Sequence, residues 1–123
     1  MNPPTARATI LFGHGSRDPL WRLPIEAVAD QVRTMAPEVQ VRCAYLELTE
    51  PDLPSTVADL ASLGVMSITV VPMFLGVGRH AREDLPLLMA ELRARHPQIE
   101  FDQKLAIGEH AQVIELMAQI ALS

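Results

Sequence analysis

The stretch Ala8-Thr9-Ile10-Leu11-Phe12-Gly13-His14-Gly15 decides how this chain is read. Its first five residues form a short apolar run that stops at two glycines, with a histidine between them. Such a run is a strand buried on both faces. Ser67–Phe74 is a second run of the same kind, rich in β-branched residues, and Gly76 and Gly78 follow it. Two other segments alternate instead. Val39, Val41, Cys43 and Tyr45 take every second place in one, and Ile99, Phe101, Leu105 and Ile107 in the other. A period of two marks a half-buried strand, so these belong at the edges of a sheet.

Helices fill the intervals. Leu20 to Met35 reads as the first, with Leu23, Ala27, Asp30 and Thr34 one turn apart and Pro37 stopping it. Asp52 is placed to cap the second and Gly64 to end it. The third is expected from about Glu83 to Arg95, with Leu85, Leu88, Met89 and Leu92 on one stripe. Pro86 is tolerable there only in the first turn, which leaves Gly76–His80 as a loop. Val113, Ile114, Met117 and Ile120 mark the last helix. Alternating strands and helices imply parallel pairing through right-handed crossovers. The expected fold is α/β: a three-layer, doubly wound, four-stranded parallel sheet in the order 2-1-3-4. Residues 1–7 read as a flexible tail and residues 8–123 as one domain.

Composition narrows the function. The chain has 123 residues, a formal net charge of -5 and 4% aromatics. An acidic, aromatic-poor surface offers neither the basic footprint nor the stacking that nucleic acid needs. The apolar run from Val65 to Val77 is interrupted by Ser67, Thr69, Pro72 and Gly76 and is too short to span a bilayer, so no membrane partner is expected. The single cysteine, Cys43, makes no internal disulfide and fits a reducing compartment. With no signal peptide visible, a cytoplasmic location is expected.

The order 2-1-3-4 reverses between strands one and three, where doubly wound sheets bind ligands beyond the carboxyl ends of their strands. His14 and His80 lie just past those two ends, on strands roughly 4.8 Å apart. Glycines flank both histidines and leave room for a bulky guest. Glu47 leaves strand two at the same end of the sheet. Two imidazoles and a carboxylate suit cobalt, nickel, iron or zinc, and they could equally shuttle protons. Arg17, Arg79 and Arg82 bracket the crevice, as either a solvated rim or a grip for carboxylates or phosphates. Gly13-His14-Gly15-Ser16 lacks the spacing of a nucleophile elbow and the lysine of a phosphate loop.

Gly13-His14-Gly15-Ser16-Arg17-Asp18-Pro19 resembles the opening motif of the CbiX sirohydrochlorin chelatases. Val71-Pro72-Met73-Phe74-Leu75-Gly76-Val77-Gly78-Arg79-His80, followed by Asp84-Leu85-Pro86, resembles their second motif. Tyr45-Leu46-Glu47 with Pro51, and Leu105-Ala106-Ile107-Gly108, resemble the segments between and after. The resemblance covers the chain from Ala8 onward and is to the short form, in which one lobe pairs as a homodimer. It implies insertion of a divalent metal (cobalt first, iron or nickel next) into sirohydrochlorin, a tetrapyrrole with eight carboxylates, on the way to cobalamin or siroheme. Carried over, His14 and His80 bind the metal and, with Glu47, form the catalytic set, His14 being a candidate pyrrole-proton acceptor. Arg17, Glu47, Leu75, Gly76, Val77, Gly78, Arg79 and His80 would contact the macrocycle. No cofactor beyond the metal substrate is implied. Two other readings keep the same cleft: a metal or tetrapyrrole carrier without turnover, and an α/β domain serving a larger assembly.

Overall fold

The computed structural model describes residues 7–123. The expected tail over residues 1–6 therefore lies outside the described residues. Arg7, assigned to that tail by sequence, is instead the first residue of a strand. The elements run β1 (Arg7–Gly13), α1 (Leu23–Met35), β2 (Gln40–Tyr45), α2 (Leu53–Ser62), β3 (Ser67–Pro72), α3 (Arg79–Arg95), β4 (Glu100–Gln103), a short 3-10 turn (Ile107–Glu109) and α4 (Ala111–Leu122).

The four strands pair in parallel in the order β2-β1-β3-β4. The apolar strands β1 and β3 are central, as their composition requires. On one face Ala8, Ile10 and Phe12 of β1 and Ile68 and Val70 of β3 meet Leu53, Val57 and Leu60 of α2 and Leu85, Met89 and Leu92 of α3. On the other face Leu11, Val41 and Tyr45 meet Ile25 and Ala29 of α1. The continuous apolar runs thus supply both faces, one from even and one from odd positions. Cys43 is half-buried in β2. Loss of hydration, with Glu26 nearby, pushes its thiol up, which suits packing rather than reactivity.

Several elements depart from the sequence reading. α1 starts at Leu23, not Leu20, and its buried residues are Ile25 and Ala29, whereas Leu23, Ala27, Asp30 and Thr34 are exposed. Apolar residues lie on more than one side of this helix, so periodicity alone does not select the stripe that packs. β3 ends at Pro72. β4 ends at Gln103, leaving Leu105 exposed and Ile107 in the 3-10 turn.

α3 starts at Arg79, four residues before the expected Glu83, and takes in the presumed loop residues Arg79 and His80. Pro86 therefore stands inside the helix. Its ring denies the Arg82 carbonyl a helical donor, tolerable here because Pro86 lies on the exposed side. α4 forms where expected, but none of its residues is buried. Among the described residues no helix is long and apolar enough to cross a membrane.

Candidate metal centre

The site is assembled beyond the carboxyl ends of β1, β2 and β3. The β1–β2 ladder continues past both strands, with the N–H of Leu46 donating to the Gly13 carbonyl at 2.9 Å and that of Glu47 to the His14 carbonyl at 3.1 Å. These rungs fasten Glu47 beside His14. Gly15 makes the approach possible. Its φ of +109° is one that residues with a Cβ rarely adopt, and a Cβ there would lie 1.6 Å from the Glu47 carbonyl oxygen. Thr49 closes the loop: its hydroxyl donates to the Ser16 carbonyl and accepts from the Ser16 N–H at 3.1 Å. His80 arrives from the other side, in the first turn of α3, which Ala81 and Leu85 anchor in the core.

The three side chains converge. His80 Nδ1 is 3.4 Å and His14 Nε2 is 3.9 Å from the same oxygen, Glu47 Oε1. The imidazole centroids are 6.3 Å apart, and one donor atom from each residue lies within 4.8 Å of the others. Those separations exceed a good hydrogen bond. They leave a gap that a cation bound to two nitrogens and one oxygen would close, and the donor set suits a borderline divalent metal. All three side chains are 40–61% exposed, so the gap opens to solvent.

A fourth residue, Asp84, completes the arrangement, and sequence reasoning gave it no role. Its Oδ2 accepts from His80 Nε2 at 2.8 Å. That contact places the imidazole proton on Nε2 and leaves the Nδ1 lone pair facing Glu47. The signal was an i,i+4 pair on a helix, visible only once the helix is known to include His80. Phe74 packs edge-on to His14, with ring centroids 6.4 Å apart.

The remaining expected site residues surround this triangle. Leu75 is exposed, and no atom lies within 4 Å of where a Cβ on Gly76 or Gly78 would sit. Neither glycine has a positive φ, so what they contribute is open space rather than a sharp turn. Gly108 supports this loop from behind. Its N–H donates to the Phe74 carbonyl at 2.8 Å, and a Cβ would fall 1.9 Å from the Leu75 carbonyl oxygen. Of the arginines, Arg79 pairs with Glu83 at 3.0 Å and Arg82 donates to the Val77 carbonyl at 3.3 Å. Arg17 is exposed and has no ion-pair partner among the described residues. A cleft of about 250 Å³ lined by Leu46, Asp84, Leu87, Leu88 and Glu91 adjoins His80. A wider one of about 520 Å³ lies away from the imidazoles, between α1 and β2, where the Arg22–Glu26 and Arg33–Asp30 pairs border it.

The chain resembles known proteins in sequence and in fold. The chain is 39% identical over 82 residues to a sirohydrochlorin cobaltochelatase of Methanopyrus kandleri, covering 67% of this chain and 57% of that protein. It is 34% identical over 91 residues to one of Methanocaldococcus jannaschii, covering 72% and 62%. The chain thus spans about three-fifths of the length of these relatives. Among solved structures, a CbiX protein of Marinobacter aquaeolei VT8 superposes with a TM-score of 0.81 at 31% identity, covering 94% of both chains. The sirohydrochlorin chelatase SirB of Bacillus subtilis subspecies spizizenii, solved in complex with cobalt, superposes with a TM-score of 0.75 at 27% identity, covering 94% of this chain and 50% of that one. The CbiX family model matches residues 8–122, and the chain belongs to the CbiX family.

Proposed function

We propose that this chain is a sirohydrochlorin chelatase, inserting a divalent metal, cobalt first, into sirohydrochlorin. The observation that carries the reading is the convergence of His14, Glu47 and His80 donors within 4.8 Å at a half-exposed sheet end. Insertion exchanges two pyrrole N–H protons for one M²⁺, so the protein must desolvate the metal and accept protons. Neutral imidazoles and a carboxylate replace water around the metal yet release it to four pyrrole nitrogens. His14 and Glu47, facing the gap, are placed to take the protons. Asp84 holds His80 in the ligating tautomer. The metal is a substrate here, and the chemistry needs no further cofactor.

The macrocycle would lie over the open glycines of the Leu75–Gly78 loop, with the unpaired Arg17 gripping a carboxylate arm. Arg79 and Arg82 are already engaged and contribute less. One lobe walls one side of a planar substrate, and a second copy supplies the other side in a homodimer. A cytoplasmic, reducing setting suits the lone Cys43.

The test is the visible spectrum of sirohydrochlorin mixed anaerobically with catalytic amounts of protein and cobalt(II), iron(II) or nickel(II), against a protein-free control. Many turnovers, fastest with cobalt and lost in His80→Ala with its fold retained, are expected. One equivalent of product or less per protein would favour the carrier reading. Full activity in His80→Ala would refute the site.

A further inference from the structure

A pocket of about 260 Å³ lies beyond the carboxyl ends of β3 and β4, against the first half of α3. At about 100° per residue, Arg82 and Pro86, which line it, fall on the far side of α3 from His80 and Asp84. Phe74, Val77, Ala81, Leu85 and Ala106 give it apolar walls, all buried except the half-buried Val77. Phe74 is common to this pocket and the metal centre, because its ring packs edge-on to His14 with centroids 6.4 Å apart. Between the two run Leu75–Gly78, where a Cβ on Gly76 or Gly78 would meet nothing. A large guest over the imidazoles can therefore extend across the glycines into the pocket.

Three charged residues line the pocket, and two of them are engaged. Glu109 Oε1 accepts from the Ala106 N–H at 3.2 Å and so holds the 3-10 turn. Arg82 donates to the Val77 carbonyl at 3.3 Å. Lys104 is the third. Its backbone is fixed, with its N–H donating to the Val70 carbonyl at 3.0 Å. Its ammonium is not: Nζ comes no nearer than 3.8 Å to Asp102 Oδ2, beyond a hydrogen bond, and the side chain is 54% exposed. Lys104 is also the only lysine in the chain.

Apolar walls beside an unengaged ammonium fit a ligand built the same way, a carboxylate carried on methylene groups. A bare metal ion or a phosphate would leave the walls unused, and a purely apolar group would leave the ammonium unused. We propose that this pocket takes one carboxylate arm of the tetrapyrrole, with its methylenes against Phe74 and Val77 and its carboxylate on Lys104. The inference rests on the sirohydrochlorin reading above and adds to it a second anchor. Arg17 follows β1 and Lys104 follows β4, at separate points of one sheet end. A planar ring gripped at one carboxylate can swing about that contact. Gripped at two, it keeps its nitrogens over the metal.

The experiment exploits the single lysine. The full-length protein is treated with limiting acetic anhydride alone, with cobalt(II), or with saturating metal-free sirohydrochlorin, and acetylation of Lys104 is followed by peptide mass spectrometry. Sirohydrochlorin should slow the modification severalfold, because an ammonium paired with a carboxylate is seldom the free amine that reacts, and cobalt(II) alone should not. Absorbance titration with metal-free sirohydrochlorin reads the same contact without requiring turnover. Lys104→Gln should weaken binding about fivefold, the upper end of what a half-exposed ion pair contributes, and Lys104→Arg should restore most of it. Arg7→Gln removes an equal charge at the opposite end of β1 and should leave binding unchanged. Cobalt(II) affinity, by calorimetry, should be the same in all four proteins. Acetylation undiminished while sirohydrochlorin is bound, or Lys104→Gln binding within about twofold of wild type, would overturn the pocket and leave the chelatase reading standing. Equal weakening by Arg7→Gln would reduce Lys104 to general charge attraction and overturn the pocket too. A wild type that does not bind sirohydrochlorin at all would overturn both.

Discussion

Replacing Asp84 by alanine should weaken cobalt(II) binding about tenfold and leave the fold intact. The carboxylate accepts from His80 Nε2 at 2.8 Å and is 39% exposed. A hydrogen bond to a charged group nets about 1.5–3 kcal/mol, and partial exposure brings this one to the bottom of that range or just under it, about 1.4 kcal/mol. That energy is a factor of about ten in a dissociation constant, the lower end of what outer-shell partners of ligating histidines contribute. Asp84→Asn keeps an acceptor oxygen and loses the charge, so it should fall between wild type and alanine. Titration calorimetry of cobalt(II) gives the affinities. Nitrogen-15 NMR of the imidazoles adds a readout that a packing role would not move: His80 should be the Nε2–H tautomer in the wild type and a mixture in Asp84→Ala. An alanine variant binding within about twofold of wild type, while His80→Ala has lost the site, would refute the positioning argument.

Three further perturbations test the framework. Gly15→Ala should cost about 1–3 kcal/mol from its positive φ alone, with the 1.6 Å approach to Glu47 adding to it and displacing that residue. Urea denaturation of Gly15→Ala beside Gly76→Ala, where a Cβ meets nothing, separates the two kinds of glycine. Asp52→Ala should cost about 1 kcal/mol, because Asp52 caps α2 through its 2.8 Å bond from the Ser55 N–H. Bonds from Ser55 also hold the Asp52 carboxyl below its usual value, so its contribution is present above the ordinary carboxylate range and lost as pH falls through the depressed value. Denaturation curves at pH 7 and pH 2.5 should show the difference between wild type and Asp52→Ala shrinking at the lower pH. Tyr45 is the only tyrosine, and burial, with Cys43 beside it, pushes its hydroxyl up to about 12. Ultraviolet titration should find no ionisation near pH 10 in the folded protein, and a midpoint near 10 would mean that the β2 end is open. Stability attributable to this group is complete below its unfolded value near 10 and is lost as pH rises from there toward 12.

The parts of the fold that were legible in the sequence are those where one physical preference acts alone. β1 and β3 are rich in apolar residues and, past Arg7, carry no charge, so they had to be central, and strand order and site position followed. Asp52 and Gly64 mark the ends of α2 by capping chemistry that needs no tertiary partner. α3 was misread because two local signals pointed the wrong way. Gly78 before it offers no capping side chain, and Pro86 argued for a start near Glu83. Tertiary burial of Ala81 and Leu85 extends the helix back past both, and this hid the His80–Asp84 pair. α1 and α4 were legible as helices but not in what they cover, because an apolar stripe does not say which surface, or whose, will meet it.

The exposure of the three donors bears on what kind of metal site they make. A structural site is closed around its ion by four protein ligands bound directly to it. Here three donors come from separately anchored pieces, the β1 end, the β2 loop and α3, and each side chain keeps 40–61% of its surface in contact with solvent. The backbone beneath them is closely packed where Gly15 passes Glu47, and the His80 ring is held by the Asp84 carboxylate. In the proposed reaction such an open face lets a metal enter from water, lose part of its hydration to His14, Glu47 and His80, and leave toward a second ligand set on the same open side. Burying the site would strengthen each bond to the ion and, in the proposed reaction, close the side from which four pyrrole nitrogens approach. A substitution that adds a fourth protein ligand, such as Leu75→His on the exposed loop, should therefore bind cobalt(II) more tightly and turn over more slowly. Tighter binding with undiminished turnover would show that release from the protein is not what limits insertion.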